Sequence, residues 1–327
     1  MKKYTELTDI EDLPALIEQA RELKKNPFAF EHLGHHKRLV MLFFNSSLRT
    51  RLSTEKAARS LGMEVTVMNF NSDAWKLEFE DGTVMNADTS EHIKEAAQVI
   101  SQYADIIAVR AFPTLTDKEK DESEYVIRSF VKYASVPVVN MESATAHPLQ
   151  ALADAITITE KNTVKKPKVV LSWAPHPKAL PQAVANSFTG MMQMMDVDFV
   201  ITHPKGYELN PDVVKDSTVI YDQDEALKDA DFVYVKNWSS YSDYGKVLNT
   251  DENWMITKEK LGEAKFMHCL PVRRNVIVED AVLNSDHSLV IEQANNRTFA
   301  AQVVLKQILE TAQSGEILKS HKLTSHM

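Results

Sequence analysis

Hydrophobic residues along this chain arrive in short runs, separated by stretches where apolar positions recur three and four residues apart. The runs RLVMLFF (38–44), EVTVMNF (64–70), DIIAVR (105–110), PVVN (137–140), KVVLSW (168–173), DFVIT (198–202), DFVYVK (231–236) and KFMHCL (265–270) read as strands. The stretches between them read as helices. SEHIKEAAQVISQY (90–103) offers Ser90 as its cap and puts Ile93, Ala96, Ala97 and Ile100 on one face. Strands alternating with helices predict parallel sheets covered by helices, an α/β chain. Polar KNTVKKP (161–167) parts the first four strands from the rest, so a domain change is placed just before it, in a helix that starts near His147. The expected domains are 1–147 and 148–294, with a helix at 295–312 packing back on the first. A chain of 327 residues suits two domains of roughly 150 residues each. The tail SGEILKSHKLTSHM (314–327) is expected to fray.

Composition narrows the class. Apolar residues make up 44% and charged residues 25%, the balance of a soluble globular protein. No run approaches the roughly 18 apolar residues of a membrane span, and MKKYTELTDIEDLP lacks the apolar centre of a signal peptide, so no membrane partner and a cytoplasmic location are expected. The single cysteine, Cys269, excludes an internal disulfide and a cysteine-rich zinc site. A net charge of −9 argues against nucleic acid, whose phosphate backbone demands a broad basic face. Any anion must be met locally.

One stretch does so. In FFNSSLRTRLS the first strand runs into a polar turn and then a helix start, with Ser46 or Ser47 at the cap and Arg49, Thr50 and Arg51 in the first turn. Backbone N–H groups and the positive end of the helix dipole favour an anion there, and the hydroxyls and guanidinium add charge-assisted hydrogen bonds. The expected ligand is a phosphate. Other chemistry-bearing residues also follow strands: Arg110 ends the third, Glu142, His147 and Gln150 follow the fourth, His176 follows KVVLSW, Lys236 ends DFVYVK, and His268 to Arg274 follow KFM. In open α/β sheets that edge binds ligands, and two such domains would face each other across a cleft. An enzyme is expected. A dinucleotide fold lacks its glycine-rich turn, for KVVLSWAPHPKALP carries prolines there, and no G-x-x-x-x-G-K-[ST], H-E-x-x-H or G-x-S-x-G signature occurs.

Three motifs, SSLRTR after one strand, ESATAHPLQ after another and HCLPVRRN near the end, together resemble the aspartate/ornithine carbamoyltransferase family. The resemblance spans almost the whole chain. It implies two parallel-sheet α/β domains with the active site in the cleft between them, a homotrimer, carbamoyl phosphate as donor, and neither metal nor cofactor. Ornithine enzymes of the family carry an acidic residue and an SMG loop where this chain reads DFVYVKNWSSYSDYG. An acid suits the α-ammonium of ornithine, whereas Lys236 suits a substrate whose α-nitrogen is acylated and uncharged. WKLE, HPKALPQAVANS, VKNW and HCLPVRRN are similar to the N-acylornithine branch, which serves arginine biosynthesis.

By that resemblance, Ser47, Leu48 (through its backbone), Arg49 and Thr50 cradle the phosphate, and Arg297 is a late phosphate contact. Arg110 and His147 approach the carbamoyl oxygen, while Gln150 and the carbonyls around Cys269 and Leu270 receive the carbamoyl NH₂. Trp75, in the polar loop NSDAWKLEFEDGT, reaches a neighbouring subunit's site. Glu142, His176, Lys236, Arg273 and Ser90 serve the N-acylornithine. Ser90 stands where N-acetylornithine enzymes have Glu and N-succinylornithine enzymes have Pro. A small neutral residue leaves room for a succinyl carboxylate, so N-succinylornithine is the expected acceptor and N-acetylornithine the alternative. Each residue has a structural reading beside this one: His147 as a helix cap, Cys269 as an inert thiol, Arg51 in a salt bridge, Arg273 and Arg274 as solvated charges, Trp75 as an anchor, Ser90 as a plain cap. A catalytically silent anion-binding paralogue and a nicotinamide-dependent dehydrogenase stay open as other classes.

Overall fold

The computed structural model describes residues 1–324, with side chains described as far as Ser314. Two compact units emerge: Met1–Phe112, Glu124–Ser143 and the described part of Thr298–Met327 form the first, Pro113–Ser123 and Ala144–Arg297 the second.

In chain order the first stretch holds α1 (Leu13–Lys25), β1 (Arg38–Phe43), α2 (Leu48–Ser60), β2 (Glu64–Asn69), β3 (Leu77–Glu78), β4 (Glu91–His92), α3 (Ile93–Tyr103), β5 (Ile106–Arg110), α4 (Lys118–Glu122), α5 (Tyr125–Tyr133) and β6 (Val138–Glu142). All but α4 belong to the first unit. Its main sheet runs β2-β1-β5-β6, parallel throughout. The strands are apolar runs because helices must cover a parallel sheet on both faces. Val40, Leu42, Ile107, Val109 and Val138 accordingly pack with Ile93, Ala96 and Ala97 of α3 and Ile127 and Phe130 of α5. Removing each large side chain of that kind from water stabilises the fold by roughly 1.5–3 kcal/mol.

The second unit continues with α6 (Pro148–Lys161), β7 (Lys168–Trp173), α7 (Ala183–Met192), β8 (Asp198–Thr202), α8 (Pro211–Val214), β9 (Thr218–Val219), α9 (Gln223–Leu227), β10 (Phe232–Lys236), α10 (Lys258–Leu261), β11 (Lys265–Met267), α11 (Asp280–Leu283) and the start of α12 (Val290–Thr324). Its parallel sheet runs β11-β10-β7-β8-β9.

Several expectations need correction. The helix expected from Ser90 begins at Ile93 and is capped by His92, whose Nδ1 accepts the Lys94 N–H at 3.2 Å. Glu91 and His92 instead pair with Leu77 and Glu78 in a small parallel ladder, which leaves Ser90 outside the helix. The last strand stops at Met267 rather than Leu270, because the His268 N–H goes to Gln293 Oε1 (3.0 Å). The unit boundary falls at Ser143/Ala144, and Pro113–Ser123 joins the second unit. A buried carboxylate accounts for that: Asp121 accepts the Thr114 N–H (2.8 Å), the Leu115 N–H (2.9 Å) and the Tyr244 hydroxyl (2.8 Å). The C-terminal helix starts at Val290 and is continuous to Thr324, where fraying was expected from Ser314; the rest of that tail lies outside the described residues. Among the described residues no helix is long and apolar enough to cross a membrane.

Candidate active site

The first unit gathers one group of the expected residues at the carboxyl ends of β1, β5 and β6. Ser47 caps α2, its Oγ accepting the Thr50 N–H at 3.3 Å. Leu48 and Arg49 fill the first turn, where backbone N–H groups have no intrahelical acceptor. Thr50 is fully buried, and its Oγ1 accepts from Arg110 Nη1 at 3.3 Å. The pairing of β5 with β6 shifts register after Val109, so that Arg110 lies opposite Glu142. Their side chains form a buried ion pair, and Phe112 stacks on the guanidinium with its ring centroid at 4.4 Å. Glu142, expected with the acylornithine residues, is thus held beside Arg110. The helix start, Thr50 and Arg110 together offer donors that can meet an anion.

Trp75 and Ser90 sit elsewhere in this unit, at the β3–β4 ladder. Ser90 N–H donates to the Lys76 carbonyl at 3.0 Å, and the Trp75 indole N–H donates to Glu91 Oε2 at 2.8 Å. Trp75 is 57% exposed, so it does not anchor its own unit. Ser90 is exposed as well.

The second unit carries two further groups. His147 precedes Pro148 at the start of α6 and makes no side-chain cap hydrogen bond. It is buried, its backbone N–H donates to Ser187 Oγ (2.8 Å), and its Nε2 lies 3.5 Å from Arg297 Nη2. Gln150, one turn on, donates to Asp154 Oδ1 (2.8 Å), which also accepts from Gln293 Nε2 (2.7 Å). Burial raises the Asp154 carboxyl to about 7 against the pull of those amides. Gln293 Oε1 holds the His268 N–H, and His268 Nδ1 holds the Leu270 N–H at 2.8 Å. The Tyr234 hydroxyl faces both Asp154 and Cys269. Cys269, half-buried, lies just past the end of β11 and faces the Tyr234 hydroxyl.

The remaining group is cationic. His176 Nε2 accepts from Arg273 Nε at 3.0 Å, while Nδ1 meets the backbone of Lys178, lying 2.8 Å from its carbonyl oxygen and 3.1 Å from its N–H. Burial, together with the charges of Arg273, Lys236 and Lys178, holds this histidine below its usual range and therefore neutral. Lys236, the last residue of β10, donates to the Asn237 carbonyl at 3.1 Å. Arg273, Lys236 and Lys178 thus place positive charge about a neutral imidazole, an arrangement that can attract carboxylates. Arg274, by contrast, is half-exposed and pairs with Asp280 at 2.9 Å, the solvated role open to it from sequence.

Sequence reading missed Asp154 and Gln293. Asp154 carries a signal, an acid inside the otherwise apolar ALADAIT; Gln293 carries none, since a glutamine in a helix start is ordinary.

Residues 2–160 match the family described as Aspartate/ornithine carbamoyltransferase, carbamoyl-P binding domain, and residues 181–308 match its Asp/Orn binding domain. The chain is 51% identical over 315 residues to the N-succinylornithine carbamoyltransferase of Bacteroides fragilis (strain 638R), covering 95% of this chain and 99% of that one. It is 36% identical over 333 residues to the N-acetylornithine carbamoyltransferase of Xanthomonas axonopodis pv. citri (strain 306), covering 93% and 95%. Among solved structures, a glutamate-to-serine mutant of N-acetyl-L-ornithine transcarbamylase complexed with carbamyl phosphate and N-succinyl-L-norvaline superposes with a TM-score of 0.87 at 36% identity, covering 93% of this chain and 99% of that chain. With both domains matched and relatives aligned along nearly its full length, the chain belongs to the aspartate/ornithine carbamoyltransferase family.

Proposed function

We propose that this enzyme transfers the carbamoyl group of carbamoyl phosphate to the δ-amine of N²-succinyl-L-ornithine, giving N-succinylcitrulline and phosphate in arginine biosynthesis. The observation that carries the acceptor is the cationic group of Lys236, Arg273 and Lys178 around neutral His176. N-Succinylornithine brings two carboxylates and an uncharged α-nitrogen, so it gains partners there, whereas the α-ammonium of ornithine would be desolvated beside like charge. The name carried by the Bacteroides relative supports the same acceptor. So does the solved transcarbamylase in which one glutamate is serine, since it is complexed with an N-succinyl ligand. By the family resemblance, Ser90 supplies a small side chain where N-acetylornithine enzymes carry Glu.

The chemistry divides among the groups. Ser47, the backbone of Leu48, Arg49, Thr50 and Arg297 hold the phosphate. The neutral δ-amine attacks the carbamoyl carbon, a C–N bond forms, and negative charge develops on the carbamoyl oxygen. Arg110 and His147 stabilise that oxyanion, where preorganised donors act most strongly. Gln150 and the carbonyls of Cys269 and Leu270 accept the carbamoyl NH₂ and orient the carbon. The C–O bond to phosphate then breaks, and phosphate takes the amine's proton. Cys269 positions and forms no covalent bond.

The working unit is a homotrimer in the cytoplasm, with Trp75 completing a neighbour's site. Leu48, Leu52, Trp75, Val84 and Met85 are all exposed apolar residues of the first unit, which supports a subunit contact there. An assay for the ureido product with carbamoyl phosphate and N-succinylornithine tests the reaction: product formation supports it, and none at high enzyme concentration overturns it.

A further inference from the structure

Asp154 lies on α6 one turn after Gln150 and is completely buried. One oxygen, Oδ1, accepts from both Gln150 Nε2 (2.8 Å) and Gln293 Nε2 (2.7 Å). A carboxylate only accepts hydrogen bonds, so each amide must turn its NH₂ toward Asp154 and its oxygen away. The consequences differ for the two glutamines. Gln150 Oε1 is left buried with no hydrogen-bond partner among the described residues, an acceptor of the kind that native interiors leave open for a ligand. Gln293 Oε1 accepts the His268 N–H (3.0 Å), and His268 Nδ1 accepts the Leu270 N–H (2.8 Å), so the backbone that presents the Cys269 and Leu270 carbonyls is fixed.

We propose that Asp154 is a positioning residue that, through Gln150 and Gln293, orients both sets of acceptors for the carbamoyl NH₂. The inference rests on the carbamoyl-transfer reading above. Were either amide flipped, its oxygen would face a carboxylate and its NH₂ would face another donor, the ligand's NH₂ at Gln150 and the His268 N–H at Gln293, a double mismatch. The other groups facing Asp154 are the Tyr234 hydroxyl from β10, which also faces Cys269, and the positive charge of Arg297 from α12. Burial holds the Asp154 carboxyl at about 7, so at mildly alkaline pH it is ionised and purely an acceptor.

The test compares carbamoyl phosphate with acetyl phosphate, in which a methyl group replaces NH₂. Binding of each, and of inorganic phosphate, is measured on the whole enzyme in mildly alkaline buffer. Wild type is expected to prefer carbamoyl phosphate, and Asp154→Ala to lower that preference about tenfold while inorganic phosphate binds as before, the loss of one to two hydrogen bonds' worth of discrimination. Gln293→Met is expected to move the ratio the same way by releasing the His268 backbone. Asp154→Asn, whose Oδ1 still accepts both amides, retains most of it. An unchanged ratio in Asp154→Ala, or equal loss of both acyl phosphates, overturns the inference. Should that variant fail to fold, Gln293→Met decides, and an unchanged ratio there overturns it. A wild type without preference for carbamoyl phosphate sinks the functional reading and the inference together, whereas a wild-type preference that the variants keep sinks the inference alone.

Discussion

Arg110, the last residue of β5, and Glu142, the last residue of β6, form an ion pair buried inside the first unit, with Nη1 donating to the carboxylate. Removing one partner of such a pair strands a buried charge and typically costs about 3–5 kcal/mol. Glu142→Ala is therefore expected to be less stable than wild type by about 3 kcal/mol in urea unfolding. Carbamoyl phosphate offers Arg110 its carbamoyl oxygen and nearby negative charge, so saturating carbamoyl phosphate should shrink that deficit. A deficit that it leaves untouched would show that Arg110 does not meet that ligand.

Trp75 is 57% exposed, and its indole is tied to Glu91 on the ladder beside Ser90. If it serves a neighbouring subunit, Trp75→Ala and Arg110→Ala are each inactive alone and complement each other in mixed trimers. Random reassembly of equal amounts should restore about a quarter of the sites, since each needs one intact residue from each of two chains. Mass spectrometry establishes mixing and product assay reads activity. Proven mixed trimers without activity would contradict a shared site.

Asp154 gives the stability a pH dependence of known sign. Its carboxyl is raised from 3.8 to about 7 by burial, so the folded state holds the proton more tightly than the unfolded chain. The contribution is therefore fully present at acid pH and is lost as pH rises through about 7. Asp154→Asn cannot ionise. Relative to wild type it should gain about 4 kcal/mol of stability between about pH 4 and about pH 8. Urea unfolding of both proteins across that range checks this, and a difference that stays flat would contradict it.

Ser90 tests the choice of acyl group. Ser90→Glu introduces an acid that fills space and repels the succinyl carboxylate, so the succinyl-to-acetyl ratio of kcat/KM should fall, by about tenfold for roughly 1.4 kcal/mol of repulsion. A ratio unmoved by the substitution would place acyl specificity elsewhere.

Most strands were readable because a parallel sheet covered on both faces demands apolar runs, and RLVMLFF, KVVLSW and DFVYVK are such runs. Strands of two residues were not: Thr218–Val219 and the Leu77–Glu78 with Glu91–His92 ladder exist only through pairing with distant segments. The same ladder moved the start of α3 from Ser90 to Ile93. The attachment of Pro113–Ser123 to the second unit was equally invisible, for it depends on Asp121 meeting Tyr244, 123 positions away. Candidate site residues carried by motifs, such as Ser47 and His147, stand out in the sequence. The supports behind them, Asp154 and Gln293, do not, because their partners come from separate elements.

The most direct measurement is kcat/KM of the wild-type enzyme with saturating carbamoyl phosphate and each of N-succinylornithine, N-acetylornithine and ornithine. The cationic group of Lys236, Arg273 and Lys178 predicts N-succinylornithine first, N-acetylornithine second, and ornithine far behind. Equal or better efficiency with N-acetylornithine, or with ornithine, would contradict the account.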